Sequence, residues 1–259
     1  MRIAAAFAAL ALFVAAPAAA QTTVPQIETW SIEKIVAMGQ EIQNQDVAAW
    51  VATDALIAFL GDGGPQGLAG WIVVPNGTDQ LVRFVRKVDG QFVPGWDVPV
   101  QDGRAGEVKV AAGVLTPVET GMFDARQTAI DNLGTLRCSR SMNSVVLKDP
   151  DGDGWLVWLL TSTTQDGIVP VGGHYRFRIS ADGQTVTRRD QLSTGCMNLN
   201  RTQTGPQGQT AALMATTLVS DRPNETHVFL SLQNRIPIYI GAGDLLYEVS
   251  GARIRQVER

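Results

Sequence analysis

The chain is short of the residues that most often carry chemistry. It has two histidines and two cysteines in 259 residues. Any histidine-based reaction must therefore use His174, His227 or both. The G-x-S-x-G elbow, the phosphate-binding loop, the dinucleotide glycine fingerprint and the H-E-x-x-H zinc motif are all missing, and with them the reaction classes those motifs mark. Charged residues make up 18%, and acids exceed bases to give a formal net charge of −4. Without a basic stripe, no nucleic-acid partner is expected. Regular alternation of strand and helix is also absent, which disfavours a Rossmann-like or barrel fold.

The clearest feature present is an export signal at residues 1–20. Arg2 supplies the positive start, Ile3 to Ala16 is apolar, Pro17 breaks it, and Ala18-Ala19-Ala20 offers the small-x-small cleavage pattern. An apolar run this short is a leader, since a spanning helix needs roughly 20 such residues. No later run is longer, so no membrane span is expected in the mature chain. An Ala-rich leader implies a bacterial, exported protein, periplasmic first and extracellular as the alternative. That compartment is oxidising, so Cys138 and Cys196 are expected to pair as a structural disulfide, with free thiols as the alternative. It also makes the N-x-T triplets at Asn76, Asn200 and Asn224 coincidental as glycosylation sites.

Residues 21–30 read as a loose lead-in to one α+β globular unit over 31–259, with a possible sub-boundary near 134–143. Ser31 caps a helix with Ile32, Ile35, Val36, Gly39 and Ile42 at helical spacing. A second helix is expected to start at Asp46, with Trp50, Val51, Leu56, Phe59 and Leu60 as its apolar side and Gly61–Pro65 as its stop. Strands follow. Trp71–Val74 and Leu81–Val85 flank Asn76-Gly77, a hairpin signal in a loop longer than two residues. Asp89-Gly90 and Asp102-Gly103 mark further turns. Thr116-Pro117-Val118-Glu119 is a capping box opening an internal helix. Val118, Met122, Ala125, Ala129 and Leu133 form its face, and Gly134 its stop. Trp155–Leu160 is apolar throughout, as a strand buried on both faces would be. Further strands are read at Ser144–Leu147, Tyr175–Ile179, Thr185–Arg189, Leu213–Val219, Thr226–Leu232, Ile238–Ile240, Leu245–Val249 and Ala252–Val257. The fold class is α+β: N-terminal helices and one internal helix packed on a mainly antiparallel sheet structure.

Three constellations could carry function. His174, His227 and Glu225 would supply a two-histidine, one-carboxylate metal set if His227 and Glu225 share a strand face, which makes a metal-dependent hydrolase the alternative function. A histidine bonded to its neighbours on a sheet is the plain reading. Arg176 and Arg178, with Arg188 and Arg189 across a turn, could bind a carboxylate or phosphate, or simply form a solvated face. Asp149, Asp151 and Asp153 match the opening of a calcium loop, but position twelve is Leu160 and not the closing Glu, so a polar turn competes with calcium as the explanation. No other cofactor is implied.

The stretch Val169-Pro170-Val171-Gly172-Gly173-His174-Tyr175-Arg176, with Cys196 and Thr226-His227-Val228-Phe229, resembles an uncharacterised family of exported proteobacterial proteins over about the last 120 residues. The resemblance implies bacterial origin and export. It carries no activity, so it assigns no residue a role. The sequence is best read as an exported, non-catalytic binding or interaction protein, whose partner could be a small anionic ligand or an envelope protein.

Overall fold

The computed structural model of the protein describes residues 24–258 except 203, 206, 207 and 210, so the leader expected at 1–20 lies outside the described residues. Helix α1 (Ile32–Leu60) opens where Ser31 accepts the Lys34 amide at 3.2 Å and stops at Gly61, whose φ of 53° suits glycine. It is one helix of 29 residues where the sequence suggests two. The polar run Gln43–Asp46 looks like a break, yet it contains no glycine or proline to end a helix. Asp46 caps nothing; its carboxylate accepts the side-chain amides of Asn143 and Gln233. The buried stripe of the second half is Ala48, Ala49, Ala52 and Leu56, and the bulky Trp50 and Phe59 face outward instead of inward.

That alanine-rich stripe packs on a meander of β1 (Leu68–Asn76), β2 (Asp79–Val88) and β3 (Gln91–Gln101), extended by the short β4 (Arg104–Ala105) and β5 (Lys109–Val110). The loop between β1 and β2 is only Gly77-Thr78, because Asn76 and Asp79 pair directly. Asp89-Gly90 and Asp102-Gly103 have positive φ at both residues, the geometry of two-residue hairpin turns that follow the strand twist. Helix α2 (Pro117–Asp131) starts with the expected capping box: Glu119 N–H donates to Thr116 Oγ1 at 3.3 Å, and Thr116 N–H to Glu119 Oε2 at 2.8 Å. It stops at Asn132, short of Gly134. Met122, Ala125 and Ala129 are buried, whereas Val118 is exposed.

The second sheet runs β10 (Val186–Gln191), β9 (Tyr175–Ile179), β7 (Trp155–Thr161), β6 (Met142–Lys148). Every residue of β7 is buried. Leu156, Trp158 and Leu160 enter one core with the first half of α1, while Trp155, Val157 and Leu159 enter another beneath α2. Two short pairs flank this sheet: β8 (Ile168–Pro170) with β11 (Asn198–Asn200), and β12 (Thr204–Gly205) with β13 (Gly208–Gln209). The third sheet orders β14 (Leu213–Thr217), β15 (Ile238–Ala242), β16 (Leu245–Val249) and β17 (Ile254–Val257).

Between β14 and β15 the chain crosses over through α3 (Glu225–Asn234), so those two strands are parallel. The sequence reads this stretch as a strand. The run Val228-Phe229-Leu230 is buried all round, and an apolar run without a period does not separate strand from helix. Asn224 decides it by capping the helix through the Thr226 amide at 3.0 Å. The third helix therefore lies near the C-terminus, not among the N-terminal ones. The lead-in is also tied down: Ile27 and Trp30 are core residues, and Ile27 N–H donates to Val219 O at 3.0 Å. The fold is α+β, with three α-helices among the described residues on mainly antiparallel sheets.

Candidate functional site

Strands β9 and β10 carry the cations singled out in the sequence, and the structure ties three of them to acids of the chain. Arg176 is 2% exposed and donates to Asp190 Oδ2 at 2.6 Å, to both Glu225 oxygens at 3.2 Å and to Glu28 O at 2.8 Å. Its guanidinium also sits 3.8 Å from the Trp30 ring centroid. Nearby acids hold the Arg176 pKa above its ordinary value against the opposing effect of burial. Arg178 pairs with Glu28 and Asp149, and Arg188 with Asp190 at 2.8 Å. Arg189 reaches Asn132 O instead. The anion-binding reading of Arg176, Arg178, Arg188 and Arg189 therefore gives way to a different role. The chain supplies the counter-charges for three of them, and the arginines strap the lead-in and the start of α3 to the second sheet.

The acidic turn is used in the same way. Asp149 accepts the Asp151 amide through Oδ1 and Arg178 through Oδ2; Asp151 pairs with Lys34; Lys148 donates to the Asp153 carbonyl. Arg178 stands between Asp149 and Asp151, and the three aspartates are not grouped as calcium ligands would be among the described residues.

The two histidines are buried and neutral. His174 Nδ1 accepts the Thr161 amide at 3.0 Å and Nε2 donates to Pro170 O at 2.8 Å. Desolvation lowers its pKa to about 4. His227 Nδ1 accepts the Asn224 amide at 3.0 Å, completing a capping box, and desolvation lowers its pKa to about 3. Glu225 and His227 stand two apart on a helix, which turns them to different sides, not onto one strand face. Glu225 accepts from Arg176 and from Trp158 Nε1 at 2.8 Å. Among the described residues, no three His, Cys, Asp or Glu side chains are grouped to hold a metal ion. His227 also lines a hollow of about 110 Å³ beside Cys196, room for a few waters. Cys138 and Cys196 are joined in a disulfide 58 residues apart in sequence.

A larger site lies elsewhere. Where α1 passes from the first core to the meander, its polar turn forms one wall of a cleft of about 750 Å³, within the range of small-ligand sites. Gln43, Asp46, Trp50 and Thr53 come from α1; Trp71 from β1; Asn143 and Ser144 from β6. Gln233, Asn234 and Arg235 at the end of α3, with Arg201, complete it. Gln43 Oε1 and Trp71 Nε1 are buried without a hydrogen-bond partner, a condition that costs about 1–3 kcal/mol per group. The Trp50 ring is 64% exposed. Burial raises the pKa of Asp46, although the Asn143 and Gln233 amides partly offset it.

Behind this wall lies Arg126 of α2. It is buried, donates through Nε to Ser144 Oγ at 2.8 Å, and lies over the Trp71 ring at 5.1 Å. Its remaining contacts are the Gln127 side-chain oxygen at 2.8 Å and Ala69 O at 3.5 Å. No carboxylate pairs with it among the described residues. Desolvation lowers its pKa to about 10, so it stays charged at neutral pH. Gly70 makes room for it: a Cβ there would lie 2.5 Å from Arg126 Nη1.

In the sequence, nothing marks this cleft as a unit, because its residues come from five separate stretches. One signal was available: four consecutive polar residues, Gln43–Asp46, in the middle of a helical pattern. No family model and no curated protein matches the chain. Among solved structures it is similar to the Bacillus megaterium YpeB C-terminal domain over 66% of this chain and 69% of that chain, at 12% identity and a TM-score of 0.18.

Proposed function

We propose that the chain is an exported, non-catalytic binding protein of bacterial origin, and that the cleft between α1, β6 and the end of α3 is its binding site. The observation that carries this reading is unmet hydrogen-bonding capacity in the cleft wall, at Gln43 Oε1 and Trp71 Nε1. Around it stand planar amides and a bare indole face, groups that suit a ligand with both ring faces and polar edges. Export is supported by the leader at 1–20 and by the Cys138–Cys196 disulfide, which an oxidising compartment preserves. The metal-dependent alternative has less support, since both ring nitrogens of His174 and the Glu225 carboxylate already hold structural hydrogen bonds.

Titration with neutral and acidic tetrasaccharides, followed by indole fluorescence and calorimetry, tests the proposal. At least one is expected to bind the wild-type chain and to lose roughly tenfold or more in affinity in Trp50→Ala, by about 1–3 kcal/mol per stacked ring. The variant's unfolding midpoint should stay near that of wild type, because Trp50 is outside the core. Equal binding by wild type and variant, or binding by neither, would defeat the cleft as the site.

A further inference from the structure

The cleft is surrounded by positive charge that the chain leaves unanswered. Arg201 and Arg235 line it, both side chains are exposed, and neither pairs with an acid among the described residues. Arg126 stands behind its floor with no acid either, and reaches the cleft through Ser144. The Ser144 oxygen accepts from Arg126, which leaves the hydroxyl proton to be donated and makes it a stronger donor, since hydrogen bonds in series polarise one another. Trp71 lines the same wall, with its Nε1–H enclosed behind the surface and without a partner. Against three cations the cleft carries one acid, Asp46, which already accepts two side-chain amides.

A guanidinium buried without a counter-ion is unfavourable, and proteins generally place an acid beside it, as this chain does for Arg176. At Arg126 no acid among the described residues answers the charge, and the groups joined to Arg126 face a ligand-sized cleft. On the basis of the binding reading above, we infer that the ligand supplies it: the cleft takes a carboxylate-bearing saccharide. The acid is received at the Ser144 hydroxyl and between the rim arginines, and a sugar ring lies against Trp50. Arginine suits a carboxylate because its planar fork can make two parallel hydrogen bonds. The amides of Asn143, Gln233 and Asn234 suit the hydroxyls of the same ligand.

The test compares tetragalacturonate with a neutral tetragalactose of equal length, by calorimetry at fixed ionic strength. The acidic chain is expected to bind about ten- to a hundredfold more tightly, the range for charge-assisted hydrogen bonds. In an Arg201→Gln, Arg235→Asn double variant the preference for the acidic chain over the neutral one should fall at least tenfold. Asn is chosen at 235 because that residue caps α3 at a φ of 52°, a conformation Asn tolerates, so the helix end is kept. Neutral sugar binding as tightly as the acidic one would overturn the inference and leave the cleft standing as the site. A phosphorylated galactose binding in place of the uronate would overturn the carboxylate assignment. Binding of no saccharide, neutral or acidic, would overturn both the inference and the reading it rests on.

Discussion

Among the described residues two arginines are buried, and they are treated in opposite ways. Arg176 on β9 lies between Asp190 and Glu225, is backed by Trp30, and reaches the Glu28 carbonyl. Arg126 on α2 has aromatic rings, a serine and two amide-type oxygens, but no acid. The first arrangement closes on itself: each charge is met by another part of the chain, and the outcome is a knot that fixes the lead-in and α3. The second is open on the side of the cleft. Burial alone does not identify a functional cation; what separates the two is whether the protein supplies the opposite charge.

Removing the knot should have the largest effect. Arg176→Met leaves Asp190 and Glu225 buried without their partner and is expected to cost about 3–5 kcal/mol in urea unfolding. A loss under 1 kcal/mol would mean the two arginines are not so different after all. Next in size is acid. His174 has a folded pKa of about 4, below its unfolded value of roughly 6.5, so the unfolded chain binds more protons in between. Its contribution, roughly 3 kcal/mol, is present above pH 6.5 and lost as pH falls towards 4. His227 adds a loss of the same sign, extending to about pH 3. Glu28, whose pKa is lowered by Arg178 and Arg176 against the opposing effect of burial, gives way in the same direction at lower pH. Midpoints measured from pH 7.5 to 4.5 should show this fall equally in wild type and in Arg126 variants, which have no acid to protonate beside the mutated site.

The smallest effect should be at Arg126 itself. Arg126→Leu removes a charge that nothing in the protein neutralises, so stability should stay within about 1 kcal/mol of wild type in urea. A loss as large as that of Arg176→Met would make Arg126 a second structural knot.

Local features were largely legible in the sequence. The cap at Ser31, the box at Thr116 and Glu119, the Asp-Gly turns and the doubly buried β7 all depend on neighbours within a few residues. The errors came where distant chain decided. His227 and Glu225 were placed on a strand because a helix buried on all sides loses its period. Trp50 was assigned to a core because the sequence does not reveal that alanines, not tryptophan, face the meander. The β9 arginines looked solvated because the acids that meet them come from Glu28, Asp149, Asp190 and Glu225, none of them local. The cleft was illegible for the same reason. The polar turn in α1 is its one local trace, and it resembled a break between helices.

That turn sits in the middle of a rod about 44 Å long, at 1.5 Å per residue. Ile35 and Ile42 anchor one end in the core it shares with β7, and Ala52 and Leu56 anchor the other against the β1–β3 meander. One run of hydrogen-bonded backbone thus serves two hydrophobic interiors, and its central amides are released only when both let go. In deuterium exchange, residues 43–46 should be as slow as the slowest amides in either core, although they lie beside an open cleft. That wall of the site is then among the last parts of the molecule to soften, and it can hold a ligand in place while the loops around it breathe.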